Sequence, residues 1–528
     1  MMRYRPFCSR FLVMLHHTID HRFLLFLAFP LGFLVFWYRF FRRRGSFPPG
    51  PPAWPIVGNL FHFPLKDLWT SFKRLRSAGD MVYFHGLGHS VLILNNLEDI
   101  QELFHRRGQN YSNRPHFTVA SDMMGLDQSL PLMSPGKAMN LHRRLARTVL
   151  NQEIIKKYHP VQEDVAALMA ESLLQNPDNF AKTIRLATAR IITTVTYGFS
   201  LSHNDDEYMN LADSTMEVVN QAIRLGAHLV DAIPFFKYAP SWLPFSPHED
   251  VKKAKTMIDR LVNSPFQGVK NEIESGTART SFICDCLHDR NDVSEPTEEY
   301  EHAVKWAAAA MYVAGGETTH VTLMAFIIAM ALNPEKQILA QEELDRVVGP
   351  AALPVIADRA SLPMVNAIIK ETLRWHPALP LGLAHVSAQD DAYKGYFIPA
   401  GTIVVPNVCS LASGEAEIHD RSTFNPERFL NHASETSVID PSAYAFGFGR
   451  RLCPGKPLAE ASLFILVATI LSSFEIRLPL DSNGHEIPID PKFQFGFVSH
   501  PQDFHCTFTV RSAGKAQAIA KRAAQSTV

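Results

Sequence analysis

The chain has 528 residues, a formal net charge of -1, 46% hydrophobic residues and 20% charged residues. That balance excludes a disordered protein and bulk attraction to nucleic acid, and it is ample for a sizeable core. Six cysteines (Cys8, Cys284, Cys286, Cys409, Cys453, Cys506) are too sparse for a disulfide framework and fit a reducing compartment.

Residues 1–22 precede an apolar run, Phe23 to Phe41, FLLFLAFPLGFLVFWYRFF, long enough to cross a bilayer, with Trp37 and Tyr38 suited to its interface. A cleaved signal peptide is the rival, but arginine and proline follow where small residues would be needed for cleavage. The sequence therefore predicts a retained single-pass anchor. Arg3, Arg5, Arg10 and Arg22 oppose Arg39, Arg42, Arg43 and Arg44, so charge alone does not orient it. Residues 42–58 read as a basic, proline-rich hinge stiffened into an extended spacer. Residues 59–511 read as one catalytic domain and residues 512–528 as an Ala/Lys/Gln tail with no evident chemistry.

Met81 to Asn95 predicts a hairpin around Gly86 and Gly88, and Leu97 to Gly108 a helix. Asn113-Arg114-Pro115 opens an irregular stretch to Pro135 of the kind that borders cavities. Lys137 to Leu150 is a basic helix carrying Arg143. Several helices follow between Val161 and Lys270, including Asp178 to Phe199 and Asp213 to Val230, broken at Pro234, Pro240, Pro244 and Pro247. Phe235, Phe236 and Trp242 there either pack a core or enlarge contact with a membrane. The Cys284/Cys286 pair has no second pair or histidine cluster to complete a zinc site and reads as structural. The pattern is mainly α with small β-sheet regions, an α+β chain.

Thr297, followed by Glu298 and Glu299, caps a helical pattern unbroken until Asn333-Pro334, roughly 35 residues and about 50 Å. Gly315 and Gly316 lie in its middle, in Ala314-Gly315-Gly316-Glu317-Thr318-Thr319. Each costs about 1 kcal/mol relative to alanine there, so their presence calls for a reason. Glu371 and Arg374 stand one turn apart on a shared helical face, and Phe424 to Phe429 brings Arg428. Phe493 to His500 reads as a final turn touching substrate.

Phe446 to Glu460, FGFGRRLCPGKPLAE, holds Cys453 in a glycine-rich turn ahead of the apolar helical run Leu458 to Leu471. A helix N-terminus and loop N–H groups favour a cysteine thiolate, and Gly449 and Gly455 permit tight turns and close approach to a flat group. A lone cysteine is more often a small buried hydrophobe. Phe446, Gly449, Arg451, Cys453 and Gly455 together spell FxxGxRxCxG, however, and this segment resembles the haem-binding loop of the cytochrome P450 family.

The resemblance runs from the proline hinge to about Arg511 and looks closest to fungal microsomal members. It implies a fold with haem b between the long central helix and the cysteine loop, Cys453 as the iron ligand, and Phe446 shielding the sulfur. Arg451, Arg143 and His385 would meet the haem propionates, although Met139 and Ala384 stand where tryptophan and proline are usual. Ala314 to Thr319 matches the family's oxygen-side motif, giving Thr318 and Glu317 proton delivery, and PERF adds Arg428 to the Glu371–Arg374 pair as a structural charge triad. The implied activity is monooxygenation of a lipophilic molecule, a secondary metabolite or xenobiotic. No flavin domain is appended, so electrons would come from NADPH cytochrome P450 reductase, with cytochrome b5 as a second candidate donor, at a basic face of Arg143, Arg144, Arg147, Arg450 and Lys456. The implied location is the endoplasmic reticulum membrane, catalytic domain cytosolic. Two rivals remain: a haem-thiolate isomerase or dehydratase that needs no reductase, and a catalytically silent haem-binding protein.

Overall fold

In the computed structural model, which describes residues 46–528 apart from 55–56, 65–70, 72–78, 87, 200, 202–205, 225–226, 241–247, 289–296, 414–422, 431–438 and 495, one helix of 36 residues forms the spine. Helices of at least ten residues are numbered in chain order: α1 (Lys137–Leu150), α2 (His159–Gln175), α3 (Phe180–Tyr197), α4 (Asp206–Ala222), α5 (His248–Ser275), α6 (Thr297–Leu332), α7 (Pro334–Val347), α8 (Pro363–Trp375), α9 (Lys456–Ser473) and α10 (Ala513–Ala523). The spine is α6, with the limits that Thr297 and Asn333-Pro334 predict. It packs most extensively along α3 and also meets α1, α5, α8 and α9.

Two apolar cores flank α6. One joins α2, α3, α8 and α9 to α6 through Val165, Ile184, Ile368, Phe464 and Phe326; the other joins α1, α3 and α5 to it through Val149, Ile192, Val269 and Ala308. The α9 helix is buried at every position from Ala461 to Ser473, as its lack of a polar stripe requires. Within both α6 and α9 the apolar window long enough to cross a membrane is mostly buried inside the fold, so their apolarity serves the core. The anchor predicted at Phe23 to Phe41 lies outside the described residues.

The sheets are small. The predicted hairpin is present as β1 (Met81–Gly86) and β2 (His89–Leu94), with Met81 opposite Leu94. After α8 come β3 (His385–Val386), β4 (Asp391–Tyr393), β5 (Tyr396–Ile398) and β6 (Ile403–Pro406). β6 runs parallel to β2 and pairs antiparallel with β3, giving the order β1-β2-β6-β3. β4 and β5 form their own hairpin, whose turn puts Lys394 (φ 49) and Gly395 (φ 80) in the left-handed region expected of a tight two-residue connection. β7 (Phe474–Arg477) and β8 (Thr507–Val510) close the chain's last pair.

Several boundaries differ from the sequence reading. The helix expected over Leu97 to Gly108 is α-helical only to Gln101 and then widens into a π turn, Glu102–Arg106. The helix expected over Asp213 to Val230 is α4, ending at Ala222, followed by a separate short helix Leu229–Ala232. Pro265 lies inside α5 without ending it, buried on the core side, where packing outweighs the lost hydrogen bond. The residues past 512 are α10, docked on α2.

Candidate active site

A cavity of about 380 Å³ lies between α6 and the Cys453 loop, lined mainly by apolar residues such as Leu150, Ile191, Val219 and Trp306. Cys453 opens onto it. The loop is held by Cys453 N donating to Phe446 O at 2.9 Å and by the 3-10 turn Gly449–Arg451, after which Gly455 caps α9. Burial by surrounding protein pushes the thiol's pKa up, opposed by the backbone N–H groups of Gly455 and Lys456 and by the charges of Arg143 and Lys456. The α9 N-terminus therefore sits where the sequence suggested, against the sulfur.

The glycines answer to constraints the sequence did not reveal. A Cβ on Gly449, at φ +51, would fall 2.0 Å from Phe104 O, so backbone rather than a flat ligand demands that residue. Gly455 has an ordinary φ of -83, and a Cβ there would meet only Cys453 Sγ, at 3.8 Å. On α6, a Cβ on Gly315 would fall 2.8 Å from Ile192 Cδ1; on Gly316 it would meet Arg185 Nη1 at 3.6 Å. Close packing of α6 on α3 thus accounts for part of the glycine pair.

Three guanidinium groups converge on the cavity: Arg143 from α1, Arg451 from the cysteine loop, and Arg114, which the sequence reading passed over as a loop opener. Arg114 Nε donates to Pro131 O at 2.9 Å and its Nη1 to Ala384 O at 2.8 Å. Arg451 Nε donates to Ser112 O at 2.9 Å and Nη2 to Met133 O; Arg143 Nη2 donates to Leu452 O at 3.1 Å. Each is held by carbonyl oxygens, which orient a cation without neutralising it. Burial first, and then the charges of neighbouring arginines (Arg451 and Arg143 on Arg114, Arg147 on Arg143, Arg143 and Arg450 on Arg451), lower all three pKa values, that of Arg451 to about 10. No periodicity or motif in the sequence marks a buried arginine such as Arg114; only tertiary packing does.

His385, the first residue of β3, stacks on Phe104 with ring centroids 3.9 Å apart and places Nδ1 against Tyr111 O. Burial first, and then the charge of Arg114, hold its pKa well below the usual value, so the ring is neutral with its proton on Nδ1. It can donate to a carboxylate at the cavity from Nε2 only after gaining a second proton.

On α6, Thr318 lines the cavity and its Oγ1 donates to Ala314 O at 2.8 Å. Glu317 is 6% exposed, with Oε1 2.8 Å from His500 Nε2 and Oε2 without a partner among the described residues. Away from the cavity, Glu371 and Arg374 form a bidentate pair at 2.7 Å, and Arg428 Nε lies 3.1 Å from Glu371 Oε2. PERF is a 3-10 turn packed against α8. The three residues read from separate motifs meet in one place.

A cysteine loop opening onto a cavity, a long glycine-interrupted helix across that cavity and a buried Glu-Arg-Arg cluster are the arrangement of a haem-thiolate protein, and a family model described as Cytochrome P450 matches residues 48–508. The chain belongs to the cytochrome P450 family. It is 34% identical over 493 residues to cytochrome P450 monooxygenase COX1 of Coprinopsis cinerea, covering 91% of this chain and 94% of that relative. It is 35% identical over 490 residues to cytochrome P450 monooxygenase 176 of Postia placenta, with the same coverage, and 33% identical over 483 residues to cytochrome P450 monooxygenase claR of Ampulloclitocybe clavipes, covering 90% and 89%. It is accordingly a haem-dependent monooxygenase. The residues present fit haem b: a cavity-facing thiol suits the iron, and three unneutralised guanidiniums suit two carboxylates.

Proposed function

We propose that this monooxygenase inserts one oxygen atom of O2 into a lipophilic small molecule, a secondary metabolite or xenobiotic, by hydroxylation or epoxidation. The apolar cavity between Cys453 and α6 carries this reading, because it gives a nonpolar substrate a site sheltered from water. Haem b bound at Cys453 supplies the redox chemistry of O2 activation. Around it, Cys453 is the iron ligand, with the Gly455 and Lys456 N–H groups stabilising its negative charge, Phe446 beside it, Gly449 shaping its turn and Gly455 leaving room beside the sulfur. Arg451, Arg143 and Arg114 bind the propionates, with His385 beside them; the negative charge of a bound propionate favours the second proton that the neutral His385 ring needs to donate from Nε2. Thr318 holds a proton at Oγ1 at the cavity wall, and Glu317 replenishes it. Glu371, Arg374 and Arg428 brace the fold beside the loop.

Electrons come from NADPH through cytochrome P450 reductase, with cytochrome b5 as a further donor, at the basic face formed by Arg144, Arg147, Arg450 and Lys456. Residues 23–41 anchor the chain in the endoplasmic reticulum membrane, residues 42–58 form the hinge, and residues 59–511 form the cytosolic catalytic domain.

Cys453→Ser tests the assignment: it should eliminate the red-shifted thiolate band of the ferrous carbon monoxide complex, and retention of that band overturns the ligand. Screening lipophilic candidates for a high-spin shift of the ferric spectrum identifies the substrate class. Product formation from an organic peroxide with no NADPH would instead favour an isomerase or dehydratase.

A further inference from the structure

The Glu317 carboxylate sits where α6 meets the C-terminal loop. It lines the cavity, is 6% exposed, and uses its oxygens unequally: Oε1 meets His500 Nε2 at 2.8 Å, while Oε2 is buried with no partner among the described residues. A purely structural buried ion pair gains by satisfying both oxygens, and leaving one bare is costly. The backbone that carries His500 is fixed, since Ser499 N donates to Ala378 O and Gln494 N to His500 O. The His500 side chain nonetheless remains 35% exposed. One imidazole therefore touches a buried carboxylate and also reaches solvent.

The other charged or titratable neighbours lack that combination. Arg185 on α3 is paired with Asp213 of α4 and cannot pass a proton at working pH. Tyr312 is buried, and burial raises its pKa to about 12. His320, one turn beyond Glu317 on α6, is held neutral by burial and the nearby charges of Arg185 and His500.

We propose that His500 is a positioning residue that feeds protons from solvent to Glu317, making the C-terminal loop part of the proton path of this monooxygenase. This rests on the reading of Glu317 as a proton-relay residue. In the step, imidazolium His500 gives its Nε2 proton to Glu317 Oε1, so the carboxylate becomes a carboxylic acid and the imidazole becomes neutral. Rotation of the carboxyl group presents that proton on the cavity side, where it passes to water or a hydroxyl and regenerates the carboxylate. The imidazole regains a proton from solvent. One proton crosses per cycle, and no electrons move.

The test uses the full-length haem-loaded enzyme with NADPH and cytochrome P450 reductase and no added organic compound. It reads hydrogen peroxide released per NADPH consumed, the pH profile of that ratio, and the solvent deuterium isotope effect on NADPH consumption. His500→Gln keeps a donor toward Glu317 but cannot carry a proton through; His500→Phe removes both. H500Q is expected to raise the peroxide ratio severalfold, toward that of Glu317→Gln, and to flatten its pH profile between about pH 5 and 8. The double variant is expected to be no worse than E317Q alone. Infrared titration of the resting enzyme over the same range gives a turnover-free readout: the carboxylic-acid band lost in E317Q should shift in H500Q. Wild-type coupling and an unshifted band in H500Q, with E317Q uncoupled, overturn the role of His500 alone. Wild-type coupling in E317Q overturns the relay reading and the His500 proposal with it. If the histidine variants do not retain haem, the wild-type titration decides: carboxyl and imidazole bands that change together support the proposal, and a carboxyl band that changes alone overturns it.

Discussion

Arg428 Nε lies 3.1 Å from Glu371 Oε2, joining a turn near residue 428 to a helix that began at Pro363. Glu371 is fully buried and also accepts from Arg374 Nε and Nη2 and from Asn425 N, each at 2.7 Å. Removing one member of such a network leaves a partner charge uncompensated, at a cost of about 3 to 5 kcal/mol. Glu371→Ala and Arg428→Ala are each expected to abolish haem incorporation, measured as the ferrous carbon monoxide band per unit of protein. Normal loading in either variant would sink the triad.

Gly449→Ala is expected to be as damaging by a different route. Its Cβ would fall 2.0 Å from Phe104 O and 2.9 Å from Phe104 C, at a φ of +51. Backbone cannot swing aside as a side chain can, so the variant adds overpacking, typically about 1 to 3 kcal/mol, to left-handed strain of about 1 kcal/mol. Gly455→Ala has neither problem and is expected to fold normally. Thermal melting of the two variants side by side checks the contrast; equal melting points would refute it.

That contrast also shows what a sequence can and cannot carry. The spacing of Gly449 and Gly455 about Cys453 identifies the loop, yet the physical reason for Gly449 is the Phe104 carbonyl, which comes from 345 positions earlier in the chain. The extent of α6, the β1–β2 hairpin and the Glu371–Arg374 pair were legible because capping, β-prone runs around glycine and one-turn spacing are local signals, whereas Arg428 joined that pair only through the resemblance of PERF to a family motif. Arg114 and His500 were not, since their significance lies in what long-range packing sets beside them: carbonyls of two other segments for Arg114, and Glu317 for His500. Helix ends within 97–108 and 213–230 were missed for the same reason, tertiary packing overriding local propensity.

Acid should destabilise the fold through His142 on α1. Burial, followed by the charge of His302, lowers its pKa from 6.5 to about 4, and Nδ1 has no partner among the described residues. Above pH 6.5 the ring is neutral in both folded and unfolded chains and contributes nothing. Between 6.5 and about 4 the unfolded chain binds a proton that the folded chain does not, so stability falls as pH falls, by up to about 3 kcal/mol before levelling off. His142→Phe is expected to reduce the loss of denaturant midpoint between pH 7 and 4.5, leaving the slope due to groups such as His320. An unchanged slope would show that His142 is not the group responsible.

The C-terminal helix α10 is expected to be indispensable. Its Lys515 is 1% exposed and donates to Gly349 O at 3.1 Å, Ala352 O at 2.7 Å and Ser472 Oγ at 2.6 Å, while Ile519 is buried in the core beside α2. Arg522 Nη2 lies 2.5 Å from Asp164 Oδ1, and Thr527 N donates to Asp164 Oδ2 at 2.9 Å. Deleting residues 513–528 would strip those partners from a carboxylate on α2 as well as uncover Ile519; because the deletion also lets water reach Asp164, the charge contributes less than the roughly 3 to 5 kcal/mol of one left buried, and lost apolar burial adds to it. Asp164→Asn in the truncated chain removes the charge and should recover part of that loss. Melting curves of the full, truncated and truncated Asp164→Asn proteins separate the two contributions: no recovery with Asn would place the whole cost in lost apolar burial, and a truncated protein as stable as the full chain would make α10 dispensable.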